Sequence, residues 1–251
     1  MINTTFESCE ADVPGGKLAL QGNVTLSSIT GTCPNILVGD ITAEVDLRMV
    51  YLDMEGTTQR SVAADLTATL SSRRGLDDPC FSTGVSGVVN GTIRTQYGEG
   101  GAAGGVDAEL DDTGLIADVQ TFSPNCVPLE DQQTFSGNVR FTDHPSGRVY
   151  DVDLMNYLVE RTATAGGAES EMTGTASGPC FGGGAMVTTP AALQLPAAAL
   201  CPTAGTVHLE RAGNPPRNVV YGDGKVEVDI DGDGIADMMF PSCTSAPACG
   251  L

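Results

Sequence analysis

The chain has 251 residues, of which 12 are basic and 32 acidic, for a formal net charge of −20. So acidic a surface repels phosphate backbones and anionic lipid heads, which sets aside nucleic-acid binding and polybasic membrane attachment and favours divalent cations. Hydrophobic residues make up 41%, enough for a core of Val, Leu, Ile and Ala, yet no run approaches the ~18 apolar residues of a membrane helix.

The first predicted element is a strand over 18–26, where Leu18, Leu20, Val24 and Leu26 alternate with polar or small residues. The clearest one follows at Ile41 to Tyr51. Ile41, Ala43, Val45, Leu47, Met49 and Tyr51 share one face, while Thr42, Glu44, Asp46 and Arg48 share the other. A polar turn at Asp53–Thr58 leads to a second alternating run, Val62, Ala64, Leu66, Ala68 and Leu70, and the pair reads as a long hairpin. The glycine-rich stretch 98–105 lacks a Lys-Ser/Thr end and a βα context, so it reads as a linker or hairpin tip rather than a phosphate loop. Strand patterns return at 135–141, 150–160 and 226–230. Ala191 to Leu200 is the one segment of helix-like composition, limited to a turn or two by Pro190 and Pro196.

These patterns predict an all-β chain with negligible helix, built of long antiparallel hairpins in a sandwich-like or partly open barrel arrangement. An outer-membrane barrel would carry aromatic girdles, which 5% aromatics and the absence of Trp do not supply.

Asp78-Pro79-Cys80-Phe81 and Gly178-Pro179-Cys180-Phe181 repeat one setting at a distance of 100 residues (180 − 80). They alternate with a second class, Cys33-Pro34, Cys126-Val127-Pro128 and Cys201-Pro202. The reading is three diverged modules, 1–97, 98–182 and 183–251, able to share one continuous core. The opening residues Met1–Thr4 show neither a basic region nor an apolar stretch, so the chain is read as lacking its signal peptide and as a fragment of a longer array.

Eight cysteines without a C-x-x-C pair, beside only two histidines, point to disulfides made in an oxidising compartment rather than to zinc. Two pairing schemes fit the alternation. The preferred one is Cys9–Cys33, Cys80–Cys126, Cys180–Cys201 and Cys243–Cys249. The other is Cys33–Cys80, Cys126–Cys180 and Cys201–Cys243, with the outermost cysteines left over.

One stretch carries recognisable chemistry. Asp229, Asp231, Asp233 and Asp237 fall at positions 1, 3, 5 and 9 of a loop whose sixth residue is Gly234, and Ile235 at position 7 can lend its carbonyl. Alternating carboxylates around a sharp glycine turn suit calcium, a hard cation that takes six to eight oxygens. These nine residues resemble the D-x-D-x-D-G loops of EF-hands, dockerins and thrombospondin type 3 repeats. The resemblance implies a calcium ligand set of Asp229, Asp231, Asp233, Ile235 and Asp237. Phe240 stands where those loops place a bidentate acid, and no helices flank the stretch, so a weak, extracellular-strength site is expected. In general texture the chain resembles uncharacterised bacterial secreted and lipoprotein β-repeat proteins.

No G-x-S-x-G elbow occurs, His208 falls in the polar register of a strand where solvation is expected, and His144 lies in a turn with no nameable nucleophile. The chain is therefore read as a non-enzyme, an extracellular, cell-surface or periplasmic structural or adhesive module. It is stiffened by disulfides and calcium, and self-association or other surface proteins are its expected partners. A carrier of an apolar small molecule or lipid in a lipocalin-like cup is the alternative, and an unrecognised hydrolase the third reading.

Overall fold

The computed structural model describes residues 2–13, 16–27, 40–72, 84–98, 104–122, 128–196, 201–243 and 245–246. They form a single antiparallel sheet of 14 strands laid side by side in chain order, open rather than closed into a barrel. The strands are β1 (Ile2–Val13), β2 (Gly16–Ser27), β3 (Asp40–Asp53), β4 (Thr58–Ser72), β5 (Gly84–Tyr97), β6 (Gly104–Phe122) and β7 (Pro128–Asp143). The second half is β8 (Arg148–Thr164), β9 (Gly167–Gly178), β10 (Gly183–Pro196), β11 (Ala204–Glu210), β12 (Arg217–Gly222), β13 (Lys225–Asp229) and β14 (Met238–Phe240). A one-turn 3-10 helix, Pro179–Phe181, joins β9 to β10. No helix among the described residues is long and apolar enough to cross a membrane.

Alternation decides the register. Ala43 lies opposite Ala68, Val45 opposite Leu66 and Met49 opposite Val62, so the two apolar rows of the predicted β3–β4 hairpin fall on one face. A slip of one residue would turn every one of them outward, which is why so regular a pattern specifies its pairing. The same face continues through Val89 and Ile93 of β5 to Val139 and Phe141 of β7 and on to Val152 of β8. Three packed clusters result. Ala43, Ala68 and Val89 form the first; Val152, Ala176 and Val187 the second; Val219, Val226 and Val228 the third. Among the described residues the largest side chains fully removed from water are Val226, Val228 and Thr113, each such valine contributing about 1.5–3 kcal/mol.

The sheet is bent by a crease that alternates strand by strand. Gly91 of β5 faces a bulge in β6, Gly137 of β7 stands beside the bulges of β6 and β8, and Gly174 of β9 faces the bulge in β8. Each bulge is capped from a neighbouring strand. The Asp112 N–H donates to Asn90 Oδ1 at 2.7 Å, and the Asn156 N–H donates to Ser136 Oγ at 3.2 Å. Asn90 and Ser136 immediately precede their glycines, so a polar-Gly pair opposite a bulge is the repeating unit of the bend. Bulges and glycine kinks increase local twist and curl a sheet. The apolar face becomes concave. The Tyr221 phenol of β12 lies near enough to those of Tyr157 in β8 and Tyr97 in β5 for their charges to influence one another, and burial with Tyr221 pushes Tyr157 up to about 12.

Two expectations change. Ala191–Pro196 is not helical but completes β10, pairing through Leu193 with Ser170; the bulge between Thr188 and Leu193 interrupts its alternation and hides the strand. The preferred disulfide scheme is also overturned: Cys201 bonds Cys243, with Cα atoms 5.7 Å apart, and Cys9 is exposed and free. Cys201 follows β10 and Cys243 follows β14, and both strands end on the same side of the sheet. Residue 180 belongs to the 3-10 turn at the far end of β10. The proposed partners Cys33, Cys80, Cys126 and Cys249 lie outside the described residues. The boundaries drawn at 97/98 and 182/183 fall at hairpin connections, and strand pairing runs on across both.

Candidate functional site

The acidic loop joins β13 to β14 at the end of the sheet opposite the disulfide. Strand pairing fixes its two ends, since Val228 lies opposite Met238 and the Asp237 N–H donates to the Val228 carbonyl at 2.8 Å. Between them the chain winds around the carboxylate of Asp229, which is 5% exposed. Its Oδ1 accepts from the Gly232 N–H at 2.7 Å, and its Oδ2 accepts from the Gly234 N–H at 3.0 Å and from Asn218 Nδ2 at 3.2 Å. Gly232 has φ +76, and a Cβ there would stand 2.9 Å from the Pro216 carbonyl oxygen, so glycine is required for this close approach.

Asp229, Asp231 and Asp237 each bring a carboxylate oxygen into one group, all within 4.8 Å of one another. Asp233, the other expected carboxylate, is not in that group; it accepts the Ile235 N–H at 2.8 Å, and the Ile235 side chain is 70% exposed. Phe240, at the position of the missing bidentate acid, belongs to β14 opposite Val226 and packs in the third apolar cluster. Strands occupy the places that helices hold in an EF-hand. The donor set consists of hard oxygens and fits calcium. Carboxylate oxygens have about two lone pairs each, so Asp229 Oδ1, with one N–H bound, retains a free pair for a cation.

Asn218 is the residue the sequence pattern did not disclose. It lies on β12 directly opposite Asp229, and only the strand register brings it there. Its Oδ1 meets His208 Nδ1 at 2.7 Å, and His208 Nε2 stands 3.4 Å from Glu210. His208 is on the polar face as expected, but it is held in a hydrogen-bonded row rather than merely solvated.

His144 is likewise a tie. Its Nε2 is 2.9 Å from Asp107, which also takes Arg94 Nε at 3.0 Å, and its backbone N–H donates to Gly105. Ser146, nearby, donates to Asp143 and not to the imidazole. Neither histidine meets a hydroxyl or thiol among the described residues.

Burial raises the Asp229 carboxyl, but the bonds from Asn218 and from the Gly232 and Gly234 amides outweigh it and hold the group below the ordinary aspartate range. A depressed folded value means that its stabilisation is present above the unfolded value and is lost as pH falls through the folded one. The Gly232 and Gly234 amides should therefore stay protected from exchange at neutral pH and lose that protection below about pH 4, the ordinary aspartate range. Unchanged protection at about pH 2 would show that the ionised carboxylate is not what orders the loop.

No protein-family model matches the chain, and no curated protein or solved structure matches it either.

Proposed function

We propose that the chain is a non-catalytic structural or adhesive β-module of an extracellular, cell-surface or periplasmic protein, in which a disulfide and a calcium ion fasten opposite ends of its short C-terminal strands. The observation that carries this reading is the convergence of Asp229, Asp231 and Asp237 in a loop already wound by its own amides. β11 to β14 contain 7, 6, 5 and 3 residues, whereas β1 to β10 contain 12 to 19. Such short strands form few ladder bonds, and staples at both ends supply what the ladder lacks. A bound calcium would neutralise three converging carboxylates and lock the β13–β14 connection. The Cys201–Cys243 bond supports an oxidising location, and the outer edge of β1, paired with no further described strand, supports edge-to-edge association.

Thermal melts in excess EDTA and in 10 mM calcium, with an Asp231→Asn, Asp237→Asn variant alongside, test the reading. For a dissociation constant of about 10⁻⁴ to 10⁻³ M, mass action gives about 1.4–2.7 kcal/mol. That corresponds to a midpoint rise of about 3–10 °C for a chain of this size, absent in the variant. Equal midpoints with and without calcium would reduce the loop to an acidic turn.

A further inference from the structure

The two faces of the sheet differ in charge as well as in polarity. Of the carboxylates on β3 to β6, Glu44, Asp46, Asp65, Asp107 and Glu109 all stand on the convex, polar face by their strand register. Asp53, at the β3–β4 turn, has its oxygens occupied by the Glu55 and Thr57 N–H groups and by Gln59. Arg60 is on the other side. It lies opposite Tyr51 on one flank and Tyr97 on the other, in line with the concave apolar row that continues through Val62 and Ala64 to Ala68.

Its surroundings are unusual for an arginine. The guanidinium stacks over the Tyr51 ring at 4.5 Å, and its charge acts on the half-buried Tyr97 phenol. Its Nε is shielded from water and has no hydrogen-bond partner, and no carboxylate among the described residues pairs with it. An aromatic ring covers the flat face of a guanidinium but leaves the in-plane N–H donors available, and that planar fork matches a carboxylate.

From Arg60 to Ala68 the row runs eight residue steps, about 26 Å at 3.3 Å per step, and most of its apolar side chains are only half-buried. We propose that this concave face binds a long-chain carboxylate, with the carboxylate on Arg60 and the acyl chain along the β3–β5 apolar row. The strong negative charge of the protein does not oppose this, because Glu44, Asp46, Asp65, Asp107 and Glu109 lie across the sheet and act on the ligand through screened solvent. The site is separate from the acidic loop and goes beyond a purely structural role.

The test is calorimetric titration with dodecanoate below its micelle concentration, and with dodecanol as the uncharged probe of the same chain length. Dodecanoate should bind more tightly than dodecanol. Arg60→Gln should weaken dodecanoate by about tenfold or more, since a charge-assisted hydrogen bond of this kind contributes 1.5–3 kcal/mol. The variant should leave dodecanol unchanged, and Arg60→Lys should restore part of the difference. Arg48→Gln, on the polar face, should change neither. In the unmutated protein the Arg60 Nε–H resonance should move on adding dodecanoate, a readout independent of how the variants fold. Absence of dodecanoate binding, equal affinity for acid and alcohol, or an unmoved Nε–H signal at saturation would overturn the proposal.

Discussion

Replacing Cys201 and Cys243 by serine is expected to lower the stability of the chain by about 4 kcal/mol and to release β11–β14 before the rest of the sheet. The magnitude follows from chain entropy. The bond closes a loop of 42 residues, and the loop-closure relation gives about 4 kcal/mol at 25 °C for that length. The location follows from strand length. β14 adds only three residues to the sheet and β13 only five, so the cluster of Val219, Val226 and Val228 rests on a short ladder. Cys243 itself packs against that cluster, so the bond both closes the loop and holds the chain after β14 over the apolar side chains. Urea unfolding of the double variant measures the loss, and amide exchange locates it. A loss below about 1 kcal/mol, or protection lost evenly over all strands, would mean that the third cluster stands without its staple.

How much of this was legible in the sequence depends on whether a feature is local. The β3–β4 hairpin is written in the alternation of 41–51, broken only by Val50, and in a matching run after one turn, so its face and its existence could both be read. The acidic loop was legible for the same reason. Spacing alone marks Asp229, Asp231, Asp233 and Asp237 as one acidic loop, and the structure gathers carboxylate oxygens of Asp229, Asp231 and Asp237 within it. Features that depend on a partner strand were not legible. Asn218 reaches Asp229 because of a register between β12 and β13, and nothing near residue 218 announces it. The choice between the two disulfide schemes was hidden in the same way: proline-flanked cysteines alternate along the chain, but pairing depends on which end of an antiparallel sheet each one reaches, and the structure holds Cys201–Cys243 of the second scheme rather than the preferred pairing. In Ala191–Pro196 a bulge breaks the alternation that marks a strand, and alanine-rich composition is the local signal that remains. The crease left a trace in Asn90-Gly91-Thr92-Ile93 and Ser136-Gly137-Asn138-Val139, yet a polar-Gly pair inside a strand acquires meaning only when the bulge opposite it is known.

That crease carries the second large effect. Gly91→Ala is expected to destabilise the sheet by about 2–6 kcal/mol, from about 1–3 for a strained backbone and about 1–3 for forced displacement of packed atoms. Gly91 has φ +126, a region costly for any residue with a side chain, and its added Cβ would stand 2.2 Å from the Asp65 carbonyl oxygen and 2.9 Å from the Leu66 Cα. These are backbone atoms of β4, held by pairing on both sides, so they cannot swing away as the end of a flexible side chain would. The strand must instead flatten or separate, and either movement draws Asn90 from the Asp112 bulge that it caps and loosens the packing of Val89 against Ala68. Gly166→Ala supplies the comparison. It lies in the turn between β8 and β9 with nothing within 4 Å of the added Cβ, and should be neutral or stabilising by up to about 1 kcal/mol. Thermal melts of the two variants separate strain at the bend from a general cost of replacing glycine. If Gly91→Ala proved as benign as Gly166→Ala, the concavity of the apolar face would have to arise from strand twist alone, without the glycine and bulge pairs.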